Sequence, residues 1–279
     1  MEHLADKRYT GERALFFGED LLIERCLFED GESPLKESRH IRLDGCTFGW
    51  KYPLWYAEDV EMRRSTFLES ARSGVWYTRG ILVEDCLIDA PKTFRRASGV
   101  TLRRVRLPHA AETLWHCRDV VVEACEAVGD YLGMDCEDVE VVGLRLDGNY
   151  CFDGAKRVRV ADSYLNSKDS FWNTEDVVVT DSTIVGEYLG WNSRNLTFVN
   201  CTIESLQGMC YIENLRLVNC TLRDTTLAFE YCTVDADIAG TVDSVLNPTA
   251  GIIRAGHIGE LIIEPNRVDP SRTTIIIKE

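Results

Sequence analysis

The chain has 279 residues, an apolar fraction of 45% and a net charge of −15. This length and composition allow one large domain with a sizeable core. The acidic balance argues against a nucleic acid partner and against anionic membranes, because both attract basic surfaces. No uninterrupted apolar stretch approaches about 18 residues, and the charged N-terminal segment lacks an apolar signal region, so we expect a cytoplasmic protein.

A repeat organises the chain, and its outermost units need caps. We therefore predict an N-terminal cap at residues 1–20, coils at 21–242 and C-terminal capping strands at 243–279, all within one domain. The twelve coil starts are spaced 19 to 21 residues apart: Leu21, Ile41, Val60, Ile81, Val100, Val120, Val139, Val158, Val177, Leu196, Leu215 and Val234.

Each coil opens with the alternation of a half-buried strand. The positions two and seven residues after each start are apolar, for example Ile23 and Phe28, while the position between the start and the first of these is mixed. A period of two indicates a β-strand with one buried face. A leucine-rich repeat fits poorly, because its asparagine ladder is missing and no unit has room for a helix. We predict an all-β, single-stranded right-handed parallel β-helix of about 12 coils.

The cysteines favour packing over chemistry. There are eleven, an odd number, and none forms a C-x-x-C pair. Six fall five residues after a coil start: Cys26, Cys46, Cys86, Cys125, Cys201 and Cys220. We interpret them as free thiols stacked at an inward-facing corner in a reducing compartment.

A second strand precedes each coil start. Five of the six tryptophans lie five residues before a start, at Trp55, Trp76, Trp115, Trp172 and Trp191. The position that follows is mostly polar and includes Glu37, Tyr56, Tyr77, His116, Asp135, Asn173, Asn192, Tyr211 and Glu230. Since neighbouring strand residues face opposite ways, we expect the tryptophans inside and the polar position outside, and the reverse stays open.

The polar position suits an extended polar ligand such as an oligosaccharide. We predict ligand contacts from Tyr56, Tyr77, Asn173, Asn192, Tyr211, Glu37 and Glu230. From Lys92 to Arg106 the chain carries six basic residues and no acid, so Lys92, Arg95 and Arg96 are predicted to bind an anion. The alternative is that these cations pair with acids on neighbouring coils, such as Glu84, Glu112 and Glu123.

Acid–base chemistry would fall to the residues near the middle of this face. We predict His116, Asp135, Asp153 and Asp169 as the catalytic set, because a histidine beside a carboxylate and pairs of carboxyls serve proton transfer. Hydrolase, lyase and epimerase reactions all remain open. We expect neither a cofactor nor a metal ion, since no phosphate-binding loop or metal-ligand motif is present.

Several segments carry a family resemblance: GESPLKES, WKYPLWY, APKTFRR, SKDSFWN and GEYLGWNS. With them, residues 9 to 265 resemble an uncharacterised bacterial family of unknown function in the pectin-lyase-like β-helix superfamily. The resemblance implies the fold and a bacterial, cytoplasmic origin. It implies no activity and no catalytic residue.

The leading hypothesis is a carbohydrate-active or carbohydrate-binding protein that acts on an anionic, uronate-like glycan or sugar conjugate. The alternative is a non-enzymatic β-helical scaffold whose polar face binds a protein partner or a second copy, so a homo-oligomer also stays open.

Overall fold

The computed structural model describes residues 1–278 and divides into two compact units, residues 1–145 and residues 146 onward. Both are built from coils that contribute one long and one short parallel strand. Two short 3-10 helices, Glu69–Ala71 and Pro270–Arg272, are the helical elements of the described residues. None of these is long and apolar enough to cross a membrane.

The first unit contains eight long strands. They are Glu2–Ala5, Glu19–Glu24, Arg39–Asp44, Glu58–Arg63, Arg79–Glu84, Ser98–Arg103, Arg118–Glu123 and Glu137–Val142. The short strands that follow them are Arg8–Tyr9, Leu27–Phe28, Thr47–Phe48, Thr66–Phe67, Leu87–Ile88, Arg106–Leu107, Glu126–Val128 and Arg145–Asp147, the last of which includes the division point. Val75–Trp76 and Phe94–Arg95 pair as a third, two-residue strand.

The second unit contains seven long strands. They are Lys156–Ala161, Glu175–Thr180, Arg194–Val199, Glu213–Arg223, Thr233–Ile238, Ala250–Ala255 and Thr273–Ile277. The short strands are Tyr164–Asn166, Thr183–Glu187, Thr202–Leu206, Thr241–Leu246 and His257–Ile262, while Glu213–Arg223 runs through the corner as one strand.

The register of the long strands matches the repeat. Ile41 pairs with Leu21 and with Val60 in the first unit, and Leu196 pairs with Val177 in the second. The apolar positions two and seven residues after each start are buried, and rings such as Phe28 and Phe48 stack at 4.6 Å. The thiol corner is buried as predicted, which confirms a parallel β-solenoid with a continuous apolar core in each unit.

The prediction of about twelve coils is too low. The long strands number eight in the first unit and seven in the second, which makes fifteen. The extra coils begin at Glu2, Gly251 and Thr273, whose partners are Leu21, Val234 and Gly251. The sequence hides them because none starts with an apolar residue, and because the last two steps, 17 and 22 residues, fall outside the common spacing.

Candidate functional site

The third side of each coil, between its short strand and the next long strand, holds the two aromatic and polar columns. The prediction that the tryptophans lie inside is wrong. Trp55, Trp76 and Trp115 are half-buried on the outside, and the interior is filled by the residue before each one, such as Leu54. We call this half-buried column the tryptophan row and the column that follows it the outer row.

A backbone turn explains why alternation fails here. The outer-row residues Tyr56, Tyr77, Arg96 and His116 have φ between 50° and 61°, in the left-handed region. A residue in that region ends the extended zigzag, so two successive side chains point outward. Positive φ recurs at several corners of every coil, so it is a property of the fold and marks no site.

The tryptophan row of the first unit is a closed stack. Trp55 lies on Trp76 at 5.1 Å with an angle of 8° between planes. The guanidinium of Arg95 is sandwiched between Trp76, at 4.7 Å, and Trp115, at 4.5 Å. The indole N–H groups of Trp76 and Trp115 each donate 2.8 Å hydrogen bonds to backbone carbonyls of the following coil. The ring faces are therefore occupied by protein groups.

The basic coil is largely neutralised by its neighbours. Arg95 and Lys92 share the carboxylate of Glu112, at 3.2 Å and 3.1 Å. Arg103 pairs with Glu123 at 2.6 Å, and Arg104 pairs with Glu84 at 2.8 Å. These contacts agree with the alternative that the cations pair with acids on adjacent coils.

Arg96 is the exception in that coil. Its side chain is exposed, and no carboxylate of residues 1–278 pairs with it. It lies on the coil between those of Tyr77 and His116 in the outer row, and its side chain faces solvent.

The outer row of the first unit brings together six predicted site residues, one per coil: Glu37, Tyr56, Tyr77, Arg96, His116 and Asp135. Tyr56 and Tyr77 stack at 4.7 Å with an interplanar angle of 7°, and Tyr56 is 45% exposed. The Nδ1 atom of His116 lies 3.6 Å from Oδ2 of Asp135, and both side chains are open to solvent.

Similar histidine–carboxylate pairs occur elsewhere in the first unit. His3 lies 2.8 Å from Glu24, and His109 lies 2.8 Å from Asp89. The pair at His116 is therefore not distinguished by geometry alone.

An open hollow of about 460 Å³ lies beside the outer row. Its aromatic wall is formed by Phe17, Tyr56 and Tyr77. Five charged side chains complete the lining: Lys36, Glu37, Arg39, Glu58 and Arg79. Three cations face two carboxylates there, which is a local reversal of the strongly acidic balance of the chain.

Partly exposed ion pairs hold the charged groups of the hollow. The Lys36 ammonium lies 3.7 Å from Glu37, and it also lies 5.7 Å from the centroid of the Tyr56 ring. Arg79 donates to Glu58, and Arg39 lies 4.0 Å from the same carboxylate. Exposed pairs of this kind are weak and can exchange partners.

Most lining residues were missed from the sequence. Lys36 was visible only as a member of the tryptophan column, and Phe17 fell in the predicted cap. Phe17 belongs to the outer row because it lies four residues before the coil start at Leu21, as Tyr56 does before Val60. The count that identifies Tyr56 therefore also identifies Phe17, once residues 1–20 are recognised as a coil and not as a cap.

In the second unit, three predicted residues form an amide ladder. Nδ2 of Asn173 donates to Oδ1 of Asp153 at 2.8 Å, and Nδ2 of Asn192 donates to Oδ1 of Asn173 at 2.9 Å. The ring of Tyr211 stacks on Trp191 at 4.4 Å. These contacts fix corners of successive coils.

The remaining predicted residues of the second unit lie near its tyrosines. Burial raises the pKa of Asp169, and the charge of Glu187 adds to this, while a hydrogen bond from Tyr150 opposes it. Burial also raises the pKa of Tyr211, with the Glu230 carboxylate acting in the same direction. The surroundings of Asp169 therefore favour its protonated form.

One group could hold a metal ion. Ligand atoms of Glu19, Asp20 and His40 lie within 4.8 Å of one another, and all three side chains are exposed. The sequence pattern does not predict this group, because its three residues come from two coils. An exposed group of this kind is common without an ion, and no chemistry is built on it.

Comparison with known proteins places the chain in a family. The family model described as "Protein of unknown function (DUF3737)" matches residues 2–276. The chain belongs to this family. None of the curated proteins matches it.

Several solved structures are similar in outline. The A-module of mannuronan C-5 epimerase AlgE4 of Azotobacter vinelandii is 10% identical, covers 99% of this chain and 88% of its own, and has a TM-score of 0.33. A double-mutant tailspike protein of E. coli bacteriophage HK620 is 11% identical over 93% of this chain and 60% of its own, with a TM-score of 0.40. The surface protein and adhesin PfbA of Streptococcus pneumoniae is 8% identical over 98% and 91%, with a TM-score of 0.31. At these scores the likeness says nothing about activity.

Proposed function

We propose that the protein binds an extended anionic glycan, of the uronate kind, along the outer row of its first unit. The observation that carries the proposal is the row itself. Tyr56, Tyr77, Arg96, His116 and Asp135 reach solvent from successive coils. At roughly 4.8 Å per coil, four steps span about 19 Å, a length that suits an oligosaccharide and no single small molecule.

Arg96 supplies the preference for an anion. It is an exposed cation with no carboxylate partner within residues 1–278, on a chain of net charge −15. A planar guanidinium binds a carboxylate through two parallel hydrogen bonds. Arg95 and Lys92 have a smaller part in this proposal, because Glu112 already pairs with both.

The tyrosines contribute ring edges and hydroxyls. Because Tyr56 and Tyr77 cover each other, their mutual faces are closed to a sugar. Their phenol groups can still donate to and accept from sugar hydroxyls. The row therefore recognises a glycan mainly through hydrogen bonds and charge.

The proposal concerns binding, and turnover is a separate step within it. His116 and Asp135 would act as the acid–base pair, as the sequence predicts. Their geometry recurs at His3–Glu24 and His109–Asp89, so it gives catalysis no independent support. Replacement Asp135→Asn tests this step, since any hydrolase, lyase or epimerase turnover that depends on the pair should fall while binding persists.

Calorimetric titration with a galacturonate tetramer and with neutral cellotetraose tests the binding. We expect the wild type to prefer the uronate, and Arg96→Ala to weaken uronate binding by about tenfold or more, since hydrogen bonds to charged groups contribute about 1.5–3 kcal/mol. Arg216→Ala is the matched control, because Arg216 is an exposed arginine on a long strand of the second unit.

The alternative hypothesis, a non-enzymatic β-helical scaffold, predicts that neither tetramer binds. A wild-type protein that binds neither tetramer, and that forms a stable oligomer in light scattering, would replace the glycan proposal with an interaction role. Equal losses for Arg96→Ala and Arg216→Ala would remove the outer row as the anion site.

A further inference from the structure

The outer row of the first unit lacks one ring. Phe17, Tyr56 and Tyr77 present aromatic rings to the hollow, and Glu37 stands on the coil between Phe17 and Tyr56. Tyr56 and Tyr77 are one coil apart, and their centroids lie 4.7 Å from each other. Phe17 and Tyr56 are two coils apart, which corresponds to about 9.6 Å.

The neighbouring tryptophan row shows what such a gap accepts. Trp76 and Trp115 are also two coils apart, and the planar guanidinium of Arg95 fills the space at 4.7 Å and 4.5 Å from the two rings. A flat group thus fits between rings on alternate coils of this fold. In the outer row the corresponding space holds the half-exposed Glu37 and the ammonium of Lys36, which lies 5.7 Å from the Tyr56 centroid, and it opens into the hollow.

We infer that the hollow is a subsite for a single uronate sugar ring, which displaces the Lys36 ammonium from the face of Tyr56 that Tyr77 leaves uncovered, at the coil where the row lacks its own ring. The inference rests on the proposed glycan binding and adds its specificity. The apolar face of a sugar ring matches the aromatic wall, while its hydroxyls and carboxylate need polar partners.

Charged groups of the hollow fit the substituents of such a ring. Lys36 Nζ lies 5.7 Å from the Tyr56 centroid, so a carboxylate on a ring over Tyr56 comes within its reach. Arg79 and Arg39 offer further donors on the rim, and Glu37 accepts from hydroxyls. The present pairs, Lys36–Glu37 at 3.7 Å and Arg39–Glu58 at 4.0 Å, are long and partly exposed to solvent, so a ligand carboxylate can compete for their cations.

The replacement Glu37→Phe tests the inference by supplying the missing ring. The backbone accepts it, because Phe17 and Tyr56 already hold aromatic residues at φ 57° and 56°, and Glu37 has φ 59°. We expect the galacturonate tetramer to bind this variant at least about tenfold more weakly than the wild type, since one lost stacking contact and one blocked cation site exceed about 1.4 kcal/mol.

Asp119→Phe is the matched control. It also places phenylalanine for an acid at an exposed corner with positive φ, 53°, in the first unit, and it should leave binding unchanged. Phe17→Ala is a second variant that removes one wall without filling the space. It should weaken binding several-fold, and it keeps the test decisive if Glu37→Phe does not fold.

The outcomes separate the two claims. If the wild type binds no glycan, the proposed function and this subsite both fall. If the wild type binds and Arg96→Ala weakens it, but Glu37→Phe and Phe17→Ala bind normally, the outer row stands and the subsite is wrong.

Discussion

Arg95 and Arg96 are adjacent in sequence and have opposite surroundings. Arg95 is held between two indoles and pairs with Glu112, whereas Arg96 is exposed. Both are predicted from the sequence as anion-binding residues. The pattern does not distinguish an arginine that is packed between aromatic rings from one that is exposed to solvent.

This difference yields a pair of stability measurements. We expect Arg95→Ala to lower the free energy of unfolding by about 1–3 kcal/mol, because it empties the space between Trp76 and Trp115. Arg96→Ala should change it by less than about 0.5 kcal/mol. Urea unfolding of both variants checks this, and similar losses in the two would show that the indole sandwich contributes nothing special.

A single residue, Asp169, makes the stability of the fold depend on pH. Its folded-state pKa is raised, chiefly by burial, above the usual value of 3.8. The folded state therefore holds this proton more tightly than the unfolded state, so stability is lost as pH rises through the folded pKa. At neutral pH the charged carboxylate is disfavoured in the fold.

The variant Asp169→Asn should accordingly be more stable than the wild type at pH 7. The difference should shrink as pH falls and vanish below about pH 3.8, where the wild-type carboxyl is protonated in both states. Thermal unfolding across this range measures it. A destabilised asparagine variant at pH 7 would mean that the carboxylate has a favourable partner that outweighs its burial.

The spacing of the repeat is enough to predict which residues form the outer row. It identifies six of them: Glu37, Tyr56, Tyr77, Arg96, His116 and Asp135. Their exposure was also expected, while the tryptophan row was misplaced. Period-two alternation cannot reveal a left-handed residue, since tyrosine and arginine at those positions carry none of the usual glycine or asparagine signals.

At the scale of elements, corners are fixed by side-chain ladders. In the second unit Nδ2 of Asn200 donates to Asp181 at 3.1 Å, and Nδ2 of Asn219 donates to Asn200 at 3.0 Å. Asn200 has φ 53°. Asparagine serves both needs there, because it tolerates the left-handed region and bridges adjacent coils.

Two substitutions at Asn200 separate these contributions. Glycine keeps the backbone conformation and loses the ladder, so Asn200→Gly should cost about 1 kcal/mol. Alanine loses both, and Asn200→Ala should cost about 1–2 kcal/mol more. Chemical unfolding of the two variants decides the matter. If both variants lost the same free energy of unfolding, the hydrogen-bond ladder alone would stabilise this corner, with no contribution from the backbone conformation.

The long strands were the most predictable elements. The coil starts fixed their register because a slip of one residue would turn every buried side chain outward. The terminal coils could not be read in the same way, because Gly251 and Thr273 replace the apolar start and the spacing changes.

At the scale of the whole molecule, the eleven cysteines are free and buried. Burial raises the pKa of Cys46 and of Cys86 to about 11, and that of Cys210 to about 12. At pH 8 a thiol of pKa 11 is ionised in about one molecule in a thousand, so it is a poor nucleophile.

Because all eleven thiols are buried, thiol titration should report global unfolding. We expect fewer than one of the eleven thiols to react with an aromatic disulfide reagent at pH 8 in the native protein, and all of them in concentrated guanidinium. A smaller alkylating agent controls for access. Rapid native labelling of one or more thiols would show that a coil opens locally.

Coil length varies between 17 and 22 residues. The step from Val60 to Ile81 is 21 residues, and its extra residues include the 3-10 helix Glu69–Ala71, which lies between the strands Thr66–Phe67 and Val75–Trp76. The six-residue long strands on either side are unchanged. Insertions during evolution are therefore admitted on the third side without disturbing the register. The surroundings of the outer row can thus be remodelled while the core stays unaltered, so relatives of this chain should differ in sequence and length on the third side sooner than in their long strands.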